Sequence, residues 1–216
     1  MKKLTPTAGQ YISYQSAFDY WNMKLFENTL PNCILNFDRH RGAVGTFRWE
    51  SWKRKNSIIN EISINPDHLN RSFEKVMQTL VHEMTHLWQY SYGKFSRYNY
   101  HNKEFAAKME TFGLITTDTG KAGGVRTGRG ITQYSLKEGW FMSYFTAMPD
   151  NIKMPWQSTT PEESEPNSRE ITRQSRNKNK IKYYCRNCPP IIAWGKSSLA
   201  LICGLCSKPM LEVMEA

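Results

Sequence analysis

Apolar residues recur at steps of three and four through residues 73–92, "FEKVMQTLVHEMTHLWQYSY". Phe73, Val76, Met77, Leu80, Met84 and Leu87 form one stripe of a predicted helix. Ser72 stands before it as an N-cap, with Glu74 in the first turn. The same spacing puts Phe18, Trp21, Leu25 and Phe26 on a helix over about residues 15–29, which Pro31 follows. Between these helices the pattern changes. "CILNFD", "VGTFRWESW" and "SIINEISIN" are short runs rich in β-branched and aromatic residues, and they predict three strands. A further helix is expected from His101 to Phe112, stopped by Gly113. Together these elements predict an α+β class, with a small antiparallel sheet packed against helices.

Beyond Gly113 the pattern weakens. Residues 116–130, "TTDTGKAGGVRTGRG", predict a mobile loop, and the order of a phosphate-binding P-loop is absent from it. Residues 131–148 read as ordered, as strands returning to the sheet. From Pro149 to Lys180 the chain is too polar to bury a core, so it predicts a linker. The expected organisation is a domain over 1–150, a linker over 151–180 and a small module over 181–216.

Charge adds a partner to this picture. The 216 residues carry a net charge of +10, which points toward a polyanion, nucleic acid before membrane. Residues 171–216 are the most concentrated basic segment. The start "MKKLTPTAGQYISYQ" lacks the apolar run of a secretion signal, and no stretch has the length of a membrane span. Five cysteines, four of them in tight pairs, suit metal binding in a reducing compartment. A cytoplasmic monomer is expected, nucleoid-associated if the source is bacterial.

Two clusters carry chemistry. On the long helix, His82-Glu83-Met84-Thr85-His86 spaces two imidazoles one turn apart with a carboxylate between them. Such a pair holds zinc, and the glutamate serves as general base toward a zinc-activated water. The metzincin pattern is excluded, because it needs glycine and histidine where this chain has Gln89 and Tyr92. The residues leave the third ligand open among His101, Glu104 and Glu110. Near the C-terminus, Cys185-x2-Cys188, fourteen residues and Cys203-x2-Cys206 predict a closed structural zinc site. So small a module needs metal to compensate for its lack of core. Cys33, in a predicted strand, reads as an inert core thiol.

The run "TLVHEMTHLWQYSYGKFSRYNYHNKEFAAKMETFG" resembles the SprT-like metalloprotease family, which includes the Spartan proteases. The resemblance extends over about residues 15–113 and the cysteine-rich tail. It implies a zincin-like fold with His101 as third zinc ligand, Glu83 as catalytic base and a C-terminal zinc ribbon. It also implies a DNA-stimulated endopeptidase acting on DNA-bound or DNA-crosslinked proteins, with single-stranded DNA as partner. The family usually has glycine where this chain has Asn102, a departure that asparagine's tolerance of left-handed backbone would soften. Arg173, Arg176, Lys178, Lys180, Lys182 and Tyr184 are the candidate nucleic-acid contacts; Tyr183, Tyr184 and Trp194 are available to stack on bases, with packing inside the ribbon an equal alternative for all three. A zinc-containing nucleic-acid-binding protein without catalysis is the alternative, and Glu83 argues against it because a structural site needs no base.

Overall fold

The computed structural model describes residues 4–40, 42–97, 100–159, 181–196 and 198–212. The chain divides into two compact units, Met1–Ser164 and Glu165–Ala216. The first unit is mixed α and β. Helix α1, Pro6–Leu25, begins well before its apolar stripe, because Thr5 caps it by accepting from the Ala8 N–H (3.4 Å) and Pro6 occupies its first turn.

Strands β1 (Ile34–Phe37), β2 (Gly45–Arg54) and β3 (Ser57–Ile64) form a sheet in the order β1-β3-β2. β2 and β3 are an antiparallel hairpin, whereas β1 runs parallel to β3. The expected antiparallel sheet is therefore mixed. Alternation along a strand fixes which face each side chain takes, not which strand becomes its neighbour.

Helix α2, Phe73–Tyr92, has the predicted bounds, and the Ser72 hydroxyl accepts from the Lys75 N–H (3.3 Å). Its Val76, Met77, Leu80, Val81, Met84 and Leu87 are buried in one core with Phe47, Ile62 and Ile64 of the sheet and Phe18 and Trp21 of α1. Helix α3, Lys103–Thr111, follows. Strands β4 (Leu114–Thr117) and β5 (Thr132–Ser135) then pair antiparallel as a second, separate sheet.

Residues 140–146 are not a strand, as expected, but helix α4, Trp140–Thr146. Gly113 explains the difference. It takes φ +77° after α3, and a Cβ there would lie 2.5 Å from the Gly139 Cα. This close approach lets the Phe141 N–H donate to the Phe112 carbonyl (2.8 Å), and Phe141 stacks on Trp21 with centroids 4.7 Å apart. An aromatic run that reads as strand in isolation is thus recruited into the core as a helix. The start of the expected linker also lies against the first unit. Trp156 and Gln10 exchange two hydrogen bonds of 3.0 Å, and Ile152 is buried. Residues 160–180 of that linker fall outside the described residues.

In the second unit, β6 (Ile181–Tyr184), β7 (Ile192–Gly195) and β8 (Leu211–Glu212) form an antiparallel sheet in the order β7-β6-β8. Among the described residues no helix is long and apolar enough to cross a membrane.

Candidate functional site

His82 and His86 project from successive turns of α2, and His101 stands just before α3. Their Nε2 atoms converge: His82 lies 2.9 Å and His86 3.1 Å from His101 Nε2. What faces the outer nitrogens decides their chemistry. The His101 Nδ1 sits 3.1 Å from the Gly128 carbonyl, and the His82 Nδ1 sits 2.8 Å from the Gln133 Oε1. An oxygen acceptor requires the proton on Nδ1, which leaves an Nε2 lone pair on each ring. Two lone pairs 2.9 Å apart repel unless a cation lies between them. Burial, and then His101, hold the His82 imidazole down at about 3, and burial first of all lowers His86 and His101 as well.

Tetrahedral zinc, with Zn–N of about 2.0–2.1 Å, separates its nitrogens by about 3.3–3.4 Å. The three rings fit that demand with a small expansion. Glu104 and Glu110 leave the competition for third ligand. Glu104 accepts from the Gln89 side chain (2.8 Å) and the Lys94 N–H (2.7 Å), and Glu110 pairs with Arg126 (2.8 Å). Asn102 has φ −87°, so left-handed tolerance is not its role. It is the N-cap of α3, accepting from the Phe105 N–H (3.0 Å) and from Gln89 (2.8 Å). Gln89 therefore ties the end of α2 to the turn that carries His101.

Glu83 is buried on α2, and burial pushes its carboxyl up to about 8. The first residue of β2 limits its space: a Cβ at Gly45 would lie 2.9 Å from the Glu83 Oε1 and 2.8 Å from the Thr79 methyl. Phe47, two residues on, stacks beside His86 with centroids 6.4 Å apart. The glycine-rich loop, expected to be mobile, is hydrogen-bonded in place. Gly128 and His101 exchange backbone bonds of 2.9 Å, Thr116 donates to the Arg126 carbonyl (2.9 Å), and Asp118 accepts from the Val125 N–H (2.9 Å). Gln133, Gly128 and Gly45 are thus parts of the site that the sequence did not reveal. Two of them act through backbone or absent volume, and no spacing rule marks the third.

The second cluster gathers Cys185, Cys188, Cys203 and Cys206, whose sulfurs lie within 4.8 Å of one another. All are free thiols, and Cys185 and Cys206 are 3.6 Å apart, close to the roughly 3.7 Å edge of a zinc–thiolate tetrahedron with Zn–S of about 2.3 Å. Backbone N–H groups of Cys206 and Leu205 lower the Cys203 thiol to about 7. Of the two roles open to Tyr183, stacking on bases or packing inside the module, the structure shows packing: the side chain is buried, its hydroxyl donating to the Lys196 carbonyl (2.6 Å) and accepting from the Leu199 N–H (3.0 Å). Tyr184 and Trp194 remain exposed. Register places Tyr184 opposite Ile192 and Leu211, and Lys182 opposite Trp194, all on one sheet face. Arg173, Arg176, Lys178 and Lys180 lie outside the described residues.

With both clusters in view, comparison with known proteins fixes the kinship. The model of the SprT-like family matches residues 14–121, which contain the three histidines and Glu83. The chain belongs to the SprT-like family. This metalloprotease-related kinship accounts for half of the chain. The SprT-like chain is also similar to an uncharacterised protein in the mucB 3′ region of Salmonella typhimurium, with 40% identity over 40 residues. That stretch is 18% of this chain and 54% of the relative, so the chain spans about half the length of the curated protein it matches. No solved structure matches the chain.

Proposed function

We propose that this SprT-like protein is a zinc-dependent endopeptidase, stimulated by DNA, that cuts proteins bound or crosslinked to DNA. The observation that carries the enzymatic part is the convergence of three imidazole Nε2 atoms beside a buried carboxylate on the same helix. His82, His86 and His101 hold a catalytic zinc in this reading, and Cys185, Cys188, Cys203 and Cys206 hold a structural one in a zinc ribbon. When bound at the histidines, zinc supplies a Lewis acid and lowers the pKa of a coordinated water from 15.7 to about 7. Glu83 then does the proton work, taking a proton during attack on the peptide carbonyl and returning it to the leaving amine. Gln133 and Gly128 keep the His82 and His101 rings in the tautomer that offers Nε2.

The DNA part is supported by charge and by a surface. The chain carries +10, and the second unit presents Tyr184, Ile192 and Trp194 beside Lys182 on one exposed face. Arg173, Arg176, Lys178 and Lys180 complete the proposed contact. The decisive experiment incubates the full chain with a DNA-binding substrate protein, with and without single-stranded DNA, beside Glu83→Gln. Cleavage that requires both DNA and Glu83 is the expected result. Cleavage without DNA would keep the peptidase and remove the DNA requirement. No cleavage, with zinc and DNA both bound, would favour the non-catalytic nucleic-acid-binding reading.

A further inference from the structure

The β2–β3 hairpin carries a feature that the metal site does not use. At its tip, Trp52-Lys53-Arg54-Lys55 are all exposed, and Lys55 turns the chain with φ 52°. None of the three cations makes an ion pair among the described residues. The nearest acid in sequence, Glu50, accepts from the Tyr90 hydroxyl (2.8 Å).

Trp52 is held in an unusual way for an exposed side chain. Its indole N–H donates to the carboxylate of Glu61, which is only 3% exposed. Glu61 is itself fixed by the Ser63 hydroxyl (2.5 Å) and approached by Arg48 (3.8 Å), which also pairs with Asp38 (2.9 Å). A buried carboxylate on a small sheet is costly unless satisfied. Here its donors include the one polar atom of an indole whose residue stays 44% exposed. The ring is thereby anchored through its N–H, and stacking asks no polar partner of a ligand.

We propose that this tip binds single-stranded DNA, with Trp52 stacking on a base and Lys53, Arg54 and Lys55 holding the adjoining phosphates. Charge complementarity selects a polyanion, and an anchored aromatic among unpaired cations selects one with exposed bases. This rests on the DNA-directed reading above and adds a contact in the same unit as the histidines. β2 begins at Gly45 against Glu83, passes Phe47 beside His86 and reaches the tip about 20 Å further along, at about 3.3 Å per residue. DNA held at the tip would keep a protein attached to it within reach of the peptidase centre.

The test measures binding of the full, zinc-loaded chain to a labelled single-stranded oligonucleotide over a range of salt. The variants are K53S/R54S/K55S, Trp52→Leu and Trp52→Phe, with thermal melts to check the fold. Each phosphate contact contributes about 0.7 to the slope of log affinity against log salt for single strands. The triple variant should therefore lower the slope by about 2 while melting like the parent. Trp52→Leu should weaken binding about 5- to 150-fold, the range of one lost stack, and Trp52→Phe should recover part of it. An unchanged slope in a triple variant whose parent binds DNA would overturn the proposal and leave the DNA-directed reading intact. A parent that binds no DNA would remove both. Equal losses toward heparin and the oligonucleotide, with no dependence on Trp52, would reduce the tip to general charge attraction and overturn the stacking contact.

Discussion

The histidine and cysteine clusters each bring their ligand atoms within 4.8 Å, but the surroundings that do so are opposite in kind. Around the histidines lies a large apolar core: Trp21, Phe18, Met77, Leu80, Met84, Leu87 and Phe105 are all buried. The ligands stand on or beside two helices, and Gln89, Gln133 and Gly128 hold the turn and the rings from outside. In the second unit only Tyr183, Cys185 and Cys203 are buried among the described residues. Trp194, Ile202 and Leu205 are 64, 69 and 79% exposed. The first site is built by the fold, whereas the second must help to build it. That follows from size, since about 35 residues cannot bury enough apolar surface to offset chain entropy.

Metal removal should therefore separate the two units most strongly. With a strong chelator, amide exchange over β6, β7 and β8 is expected to lose its protection entirely, because zinc in such small sites is worth about 10–16 kcal/mol of folding free energy near neutral pH. Helices α1 and α2 should keep most of theirs. Simultaneous loss of protection in both units would break the comparison, since it would make the histidine site a support of its own fold.

A smaller change probes the rings that the fold orients. Gln133→Leu removes the acceptor at His82 Nδ1 and frees that ring to take the other tautomer. Affinity of the histidine site for zinc should fall about 10- to 100-fold, read by competition with a chromophoric chelator. The four-cysteine site should be unaffected. Equal zinc affinity in the variant would show that packing around His82, not the Gln133 bond, sets the ring.

The same contrast governs how much was legible in the sequence. Helix α2 was readable to its ends, because about four turns of apolar periodicity, a serine cap and two histidines one turn apart all point the same way. The paired cysteines were readable because the ligand geometry of zinc is encoded in local spacing. Gln133 was not, since it reaches His82 from 51 residues away across a strand pairing that no local pattern announces. Nor was α4, whose aromatic residues fit a strand until Gly113 and Gly139 meet. The parallel pairing of β1 with β3 was hidden for a related reason, because neighbours in a sheet are chosen by chain crossing rather than by composition. Asn102 shows the converse. Its position was noticed, but its role is an ordinary helix cap rather than a special backbone conformation.

Gly45 offers a narrower cut at the first site. Gly45→Ala places a methyl group against Thr79 and the Glu83 side chain, at 2.8 and 2.9 Å. Either β2 or Glu83 must shift, a misfit that typically costs about 1–3 kcal/mol. The expected result is a lower melting temperature and lower turnover with zinc content unchanged. Turnover equal to that of the parent, despite a lower melting temperature, would mean that β2 yields and Glu83 does not.

The mildest probe uses the five thiols as reporters of the two units. Cys33, half-buried beside the first sheet, is pushed up to about 12 by burial, against the lowering effect of a backbone hydrogen bond from Ile62. At pH 8 that leaves about one thiolate in ten thousand, and the thiolate is the reactive form. Alkylation in the presence of a chelator should label the four cysteines of the opened second unit quickly and Cys33 far more slowly. Mass spectrometry would then show a plateau at four adducts, with a fifth appearing only in denaturant. Because the thiolate fraction grows about tenfold per pH unit below the pKa, the slow reaction should quicken by that factor between pH 8 and 9. Five adducts forming together at pH 8 would mean that the first unit opens when metal leaves, and the distinction between a site built by its fold and a fold built by its site would fail.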